Sequence, residues 1–266
     1  MNLTSPSQVK SWCIENGFHP NKVLGQNFLI DRNALEAIVD AGIGDEPSPH
    51  VLEVGPGLGV LTEEMLARGA NVVAVEKDPV LADRLAASLG NPEALEVVCA
   101  DALDFIAGGR SAGFGFMVSN LPYQAGTRIL LELVMRREIP SITALVQTEV
   151  ADRLAAGEGS KTRSLSGVWT QLDYDVKIVR RVAASCFWPR PAIGSTVVKL
   201  TRHDRNVAFS PEQRDIFHRL TKKAFEHRRK QLGSVFKDMI QSTARAEELS
   251  NEDWLNLVKG LTNADA

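Results

Sequence analysis

Residues 51 to 59 read VLEVGPGLG: an apolar run broken only by Glu53, then glycines at 55, 57 and 59. The first four residues predict a buried strand, and Val60 to Arg68 has the spacing of a helix, so the glycines occupy a strand-to-helix turn. Glycine there permits a tight turn and lets backbone approach a ligand closely, while the amides of the following helix point towards it. Outward from this turn the alternation continues. Val72 to Glu76 predicts a second strand, Pro79 to Leu89 a second helix, and Leu95 to Asp101 and Phe116 to Ser119 two further strands covered on both faces. Later β-like runs are Ile142 to Val146, Val176 to Val182 and Thr196 to Leu200. This pattern predicts an α/β domain with a doubly wound, mostly parallel sheet.

Past Arg202 the strand signals stop, and Ser210-Pro211-Glu212 predicts a helix start with Ser210 as cap and Pro211 in the first turn. The expected division is therefore 1–203 for the α/β domain and 204–266 for a small, all-helical second domain. A chain of 266 residues can bury both cores without staples. No apolar run is long enough to span a membrane, and the polar stretch MNLTSPSQVKSW lacks a signal-peptide core, so a cytoplasmic protein is expected. Cys13, Cys99 and Cys186 are odd in number and far apart. They predict packing residues rather than disulfides or a metal site.

The net charge of −3 conceals a segregation: residues 176–237 hold 15 Lys and Arg against 4 Asp and Glu, a balance of +11 that leaves −14 for the remainder. The densest cluster contains Lys222, Lys223, Arg228, Arg229 and Lys230, which reads either as a solvated helix face or as a nucleic-acid contact.

The third glycine follows the second by two positions, where the dinucleotide fingerprint requires three. With Glu53 before it, the loop resembles motif I of the S-adenosylmethionine-dependent methyltransferases. Glu76, at the end of the next strand, is placed to accept from a ribose diol, and Asp101, one strand further, from an adenine amine. Singly, each carboxylate reads as a surface charge; in register at strand ends, where open sheets bind ligands, they read as one site. Asn120-Leu121-Pro122-Tyr123 then falls beside the loop and resembles the (N/D/S)-P-P-(Y/F/W) motif of amino-methyltransferases. An adenine amine is a poor nucleophile because its lone pair is conjugated into the ring. If the Asn120 oxygen and the carbonyl of Leu121 or Pro122 accept its two hydrogens, the nitrogen can pyramidalise. Tyr123 would stack on the base, and Pro122 would fix the turn.

Further segments sharpen the likeness: KVLGQNFL from Lys22 to Leu29, QTEVADR from Gln147 to Arg153, FWPRP from Phe187 to Pro191 with Ser195 beyond, and AFEHRRKQL from Ala224 to Leu232. In order and spacing, over roughly residues 18 to 235, they are similar to the KsgA family of ribosomal RNA adenine N6,N6-dimethyltransferases. The resemblance implies a Rossmann-like class I methyltransferase domain with a helical C-terminal domain contacting RNA. It implies Asn27 and Leu29 over the cofactor S-adenosylmethionine, Gly55 and Gly57 at its loop, Glu76 on the ribose, Asp101 on the adenine ring and Asn120 at the target amine. Phe187 would face Tyr123 across a flipped base.

The family's substrate is a pair of adjacent adenines in the 3′-terminal hairpin loop of small-subunit ribosomal RNA, presented by a late pre-30S particle to a monomeric enzyme. Glu158 to Ser166 departs from the family run in lacking its Tyr-Gly pair, Thr148 stands where Lys is common, and Ile193-Gly194 replaces a usual Val-Asp. Rival readings are the related large-subunit adenine methyltransferases, a ribosome-assembly or transcription factor that keeps the fold without catalysis, and a nicotinamide-dependent oxidoreductase.

Overall fold

The computed structural model describes residues 1–21, 24–206, 209–237 and 239–264. In chain order the elements are α1 Pro6–Glu15, β1 Phe28–Leu29, α2 Arg32–Gly42, β2 His50–Val54, α3 Val60–Ala67, β3 Asn71–Glu76, α4 Pro79–Ser88, β4 Leu95–Cys99, α5 Ala102–Ala107, β5 Phe116–Asn120, α6 Gly126–Arg136, β6 Ser141–Gln147, α7 Thr148–Ala155, α8 Leu165–Asp173, β7 Tyr174–Val182, β8 Phe187–Trp188, β9 Ser195–Arg202, α9 Pro211–Glu226, α10 Leu232–Val235 and α11 Asn251–Ala264. They form two compact units. One comprises Met1–Ala151 with Lys177–Arg202, the other Asp152–Val176 with His203–Ala266.

The first unit is built on a seven-stranded sheet of order β4-β3-β2-β5-β6-β9-β7. Neighbours from β4 through β6 run parallel, and β9 is antiparallel to β6, with Ile142 opposite Leu200. From β2 the chain first steps to β3 and β4 on one side, then returns to β5 and β6 on the other. That reversal opens a crevice at the carboxyl ends of β2 and β5, where a doubly wound sheet takes its ligand.

Local chemistry starts the helices around it. Asp31 caps α2 by accepting from the Ala34 amide at 2.8 Å, and Asp78 caps α4 through Val80 at 3.0 Å, ahead of Pro79. The apolar face of α2, with Leu35, Ile38 and Val39, then packs into a core shared with Val51, Val72 and Val118. Two expectations change at the sheet's edge. β4 is the outermost strand, so its faces are only partly covered, and Cys99 at its end is exposed rather than packed. Cys13 is buried as expected, and Cys186 is half-buried.

A buried carboxyl stands where this core meets the crevice. Glu53 on β2 is 1% exposed, and its Oε2 accepts from Thr62 Oγ1 at 2.7 Å. Burial pushes its pKa up to about 8 against the weaker opposing pull of that hydrogen bond, and the nearby Glu76 adds to the rise.

In the second unit α9 opens with a reciprocal cap: Ser210 Oγ accepts from the Gln213 amide at 3.2 Å, and Gln213 Oε1 accepts from the Ser210 amide at 3.1 Å. Its buried face, Phe217, Leu220 and Ala224, joins Val168 and Leu172 of α8 and Trp254 and Val258 of α11 in one cluster. This burial is why residues 152–176 belong with the helical unit, whereas the expected boundary left them with the α/β domain. Arg214 adds a two-pronged bond to Asp173 at 2.7 and 3.0 Å. Arg163 lies in the run that departs from the family pattern and is 1% exposed. It donates to the Ala156 carbonyl at 3.0 Å and to Asn251 Oδ1 at 2.9 Å, stitching that run to the start of α11.

Two expectations for stability follow from these contacts. A Cβ at Gly167 of α8 would sit 2.4 Å from the Arg153 carbonyl oxygen of α7, so Gly167→Ala should lower stability by about 1–3 kcal/mol, read as an earlier urea midpoint. The folded Glu53 carboxyl keeps its proton to a higher pH than it would in the unfolded chain. Its contribution therefore falls as pH rises from the ordinary carboxylate range to about 8, and levels off above that. Glu53→Gln keeps an acceptor for Thr62 without the titration, and should flatten the decline of the urea midpoint between pH 5.5 and 8.

Candidate active site

A cavity of ≈ 420 Å³ opens at the carboxyl ends of β2, β3 and β5. Its floor is the glycine loop, in which Gly55, Gly57 and Gly59 all have left-handed backbone, with φ of 69°, 60° and 90°. Space tightens the requirement at two of them. A Cβ on Gly59 would lie 2.6 Å from Leu85 Cδ1, and one on Gly57 would lie 3.2 Å from the Phe28 ring.

The loop is tied to the neighbouring strand. Gly55 donates to the Val75 carbonyl at 2.9 Å, Gly57 to Glu76 Oε2 at 3.1 Å, and Asp78 to Glu76 Oε1 at 2.9 Å. Burial raises the pKa of Glu76, and the backbone donors hold it back. Asp101 caps α5 through the Leu103 amide at 2.8 Å and takes Lys77 Nζ on its other oxygen at 2.8 Å; the Lys77 bond leads in holding its pKa below the usual range.

These features fit an uncharged nucleoside carrying a cationic centre. The carboxyl groups of Glu53, Glu76 and Asp101 line the cavity, and the Gly57 amide, which a pyrophosphate would want, is already spent on Glu76. The residues present therefore suit S-adenosylmethionine, within a volume ordinary for small-molecule sites.

The Asn-Leu-Pro-Tyr turn forms the opposite wall. Asn120 ends β5 and lines the cavity, and its Nδ2 donates to the Asn27 carbonyl at 3.1 Å, which leaves Oδ1 as its acceptor. Asn27 is itself held by Nδ2 donation to the Gly25 carbonyl at 3.0 Å. Gly25 has φ 68°, and a Cβ there would lie 3.2 Å from the Tyr123 amide nitrogen, so the two loops interlock through a position that glycine suits. Of the two candidate carbonyls, that of Pro122 already accepts from Gly126 at 2.7 Å and Ala125 at 3.2 Å as α6 begins. Among the described residues no donor reaches the Leu121 carbonyl, so it is the one available to a ligand. The Tyr123 hydroxyl is bonded to Ser195 Oγ at 2.5 Å, which fixes the ring to the start of β9.

The structure thus brings Asn27, Leu29, Gly55, Gly57, Glu76, Asp101, Asn120, Leu121, Pro122 and Tyr123 around one cavity. Phe187 stands apart from these: it pairs with Leu29 across the short β1–β8 ladder, is 2% exposed within the main core, and is not among the residues lining this cavity. Lys22, at the head of the KVLGQNFL segment, and Val23 lie outside the described residues. Residues that the sequence reading missed include Lys77, whose only signal was its place after Glu76, and Gln26, whose Nε2 donates to Asp78 Oδ2 at 2.8 Å.

In the helical unit Lys222, Lys223, Arg229 and Lys230 are exposed. Lys223 Nζ stands 5.3 Å over the Phe236 ring. Arg228 is already engaged, donating to the Lys161 carbonyl at 3.0 Å and lying 3.8 Å from Glu247.

Comparison with known proteins bears on the whole chain. The family described as ribosomal RNA adenine dimethylase matches residues 17–264. A protein of Deinococcus radiodurans named ribosomal RNA small subunit methyltransferase A is 41% identical over 240 residues, covering 90% of this chain and 80% of that protein. The protein of the same name from Protochlamydia amoebophila is 34% identical, covering 100% and 99%. Among solved structures, a dimethyladenosine transferase from Plasmodium falciparum aligns with TM-score 0.75 at 21% identity, over 89% of this chain and 98% of that one. The 23S rRNA methyltransferase ErmE aligns with TM-score 0.68 at 23% identity, over 88% and 99%. Both likenesses speak to the fold alone, an α/β domain accompanied by a helical C-terminal region. The interlocked loops, the paired carboxylates and the family match together lead to one conclusion: the chain belongs to the ribosomal RNA adenine dimethylase family, and is an S-adenosylmethionine-dependent enzyme of ribosomal RNA.

Proposed function

We propose that the chain transfers two methyl groups to the N6 amine of each of two adjacent adenines in the 3′-terminal hairpin loop of small-subunit ribosomal RNA. It acts late in ribosome assembly, on a pre-30S particle, as a cytoplasmic monomer. The observation that carries the chemistry is the acceptor pair at the end of β5. Asn120 Oδ1 is oriented by the bond from Nδ2 to Asn27, and among the described residues the Leu121 carbonyl has no donor of its own. Two acceptors on one side of the amine take its two hydrogens and free the nitrogen lone pair for attack. Bound S-adenosylmethionine supplies the electrophilic methyl.

The remaining roles belong to positioning. Glu76 accepts from the ribose hydroxyls and Asp101 from the adenine amine of the cofactor, while Asn27, Leu29, Gly55 and Gly57 shape the space around it. Tyr123, steadied by Ser195, offers a face for the target base, an interaction worth about 1–3 kcal/mol. Orientation of amine and methyl donor then supplies most of the rate, without a strong general base. A loop base costs less to extrude than a paired one, which favours a hairpin loop as substrate. The small-subunit assignment is supported by the names of the 41% and 34% identical relatives; the large-subunit enzyme ErmE shares only 23% identity and argues for the fold alone. The intact acceptor pair favours an enzyme over an assembly factor without catalysis.

Asn120→Ala should cut methyl transfer at least about a hundredfold and leave RNA binding in place. Mass spectrometry of small-subunit RNA from cells carrying only that variant reads the outcome as lost dimethyladenosine; full modification would overturn the mechanism. Lys222, Lys223, Arg228, Arg229 and Lys230 are the proposed RNA contacts. Replacing exposed Lys222, Arg229 and Lys230 with Ala should weaken RNA binding and flatten its salt dependence by about one unit of slope per lost phosphate contact. An unchanged slope would make the cluster a solvated surface.

A further inference from the structure

The family match begins at residue 17, yet the segment before it is well anchored in the first unit. Val9 and Cys13 of α1 are buried with Phe18, Phe28, Leu58 and Leu81. The rings of Trp12 and Phe18 lie 5.8 Å apart edge to face, and Phe18 continues to Phe28 at 6.3 Å. Asn16 Oδ1 accepts from Arg84 of α4. Ahead of α1 the chain folds back on itself: Asn2 Oδ1 accepts from the Thr4 amide at 3.0 Å and its hydroxyl at 2.8 Å, and the Asn2 amide donates to Gln8 Oε1 at 2.7 Å. This knot turns Leu3 inward, to 6% exposure, while Met1 and Asn2 stay exposed.

Leu3 lands on the site. It lines the main cavity and also a second cavity of ≈ 240 Å³ between the amino-terminal arm and α4, and the residues common to both are Leu3, Gly57 and Leu58. Leu3 is thus part of the partition between them, on the side where the Gly57 amide meets Glu76. We propose that Leu3 is a cofactor-contacting residue: it closes the nucleoside side of the S-adenosylmethionine cavity and keeps water from the Glu76 carboxylate. An apolar wall there strengthens carboxylate-to-hydroxyl hydrogen bonds, because the effective dielectric falls as water leaves. Truncating it joins the two cavities and wets the contact.

The inference rests on the cavity holding S-adenosylmethionine, and the test separates the two. Calorimetric titration of the full chain with S-adenosylmethionine and with S-adenosylhomocysteine gives Kd for the wild type and for Leu3→Met, Leu3→Val and Leu3→Ala. The expected order is wild type and Met alike, Val weaker, and Ala weaker by about fivefold or more for both ligands, a loss on the scale of a few buried methyl groups. RNA binding should stay unchanged. Equal affinity across the series, in chains that melt like the wild type, overturns the role of Leu3 and leaves the cofactor assignment standing. Should the Ala variant unfold, the Met-to-Val comparison decides in the same way. A wild-type chain that binds neither ligand overturns the cofactor reading, and this inference with it.

Discussion

Glu76 joins two neighbouring strand ends and, in doing so, makes the crevice between them usable. Its oxygens take the amides of Gly57 and Asp78, one in the loop after β2 and one in the cap of α4. The left-handed loop needs such an anchor, because its three glycines with positive φ lose much conformational freedom when it is held. Once the loop is held, Gly59 can bring α3 close to Leu85 of α4, Gly57 can pass beside Phe28, and the Asn27 segment can reach across to Asn120. Removing the anchor would release a floor on which both the cofactor residues and the acceptor pair depend.

The opposite wall uses a different economy. The turn after β5 spends the Pro122 carbonyl on starting α6 and, among the described residues, leaves the preceding carbonyl without a donor. Backbone geometry therefore places one of the two acceptors, and a side chain held by Asn27 places the other. Electrostatics follows the same division of labour along the chain. Carboxylates crowd the cavity of the α/β unit, whereas exposed cations gather near the end of α9 in the helical unit, so an overall charge of −3 is compatible with an RNA substrate.

Much of this was legible in the sequence because it is local. Strands, the glycine turn and the cap at Ser210 are each written within a few residues, and strand ends aligned Glu76, Asp101 and Asn120 without any knowledge of distance. What stayed hidden needed long-range pairing. Phe187 is set in the core through its ladder partner Leu29, a pairing that no local pattern announces. Residues 152–176 carry no mark of their allegiance, which is settled by Val168 and Leu172 burying against Phe217 and Trp254. Which strand would lie at the edge depends on sheet order, so the exposure of Cys99 was invisible too. Arg163 is a buried pin, because Ala156 and Asn251 offer it oxygens, and no local pattern announces it.

The way Glu76 is held also limits what the position can become. Each of its oxygens already receives a backbone amide, so both must remain acceptors. Glutamine, the nearest isostere, would turn an NH₂ group towards an N–H and lose one of the two bonds, and aspartate would stop a methylene short of the loop. Neither conservative replacement keeps both bonds, even though the side chain sits on no reacting atom.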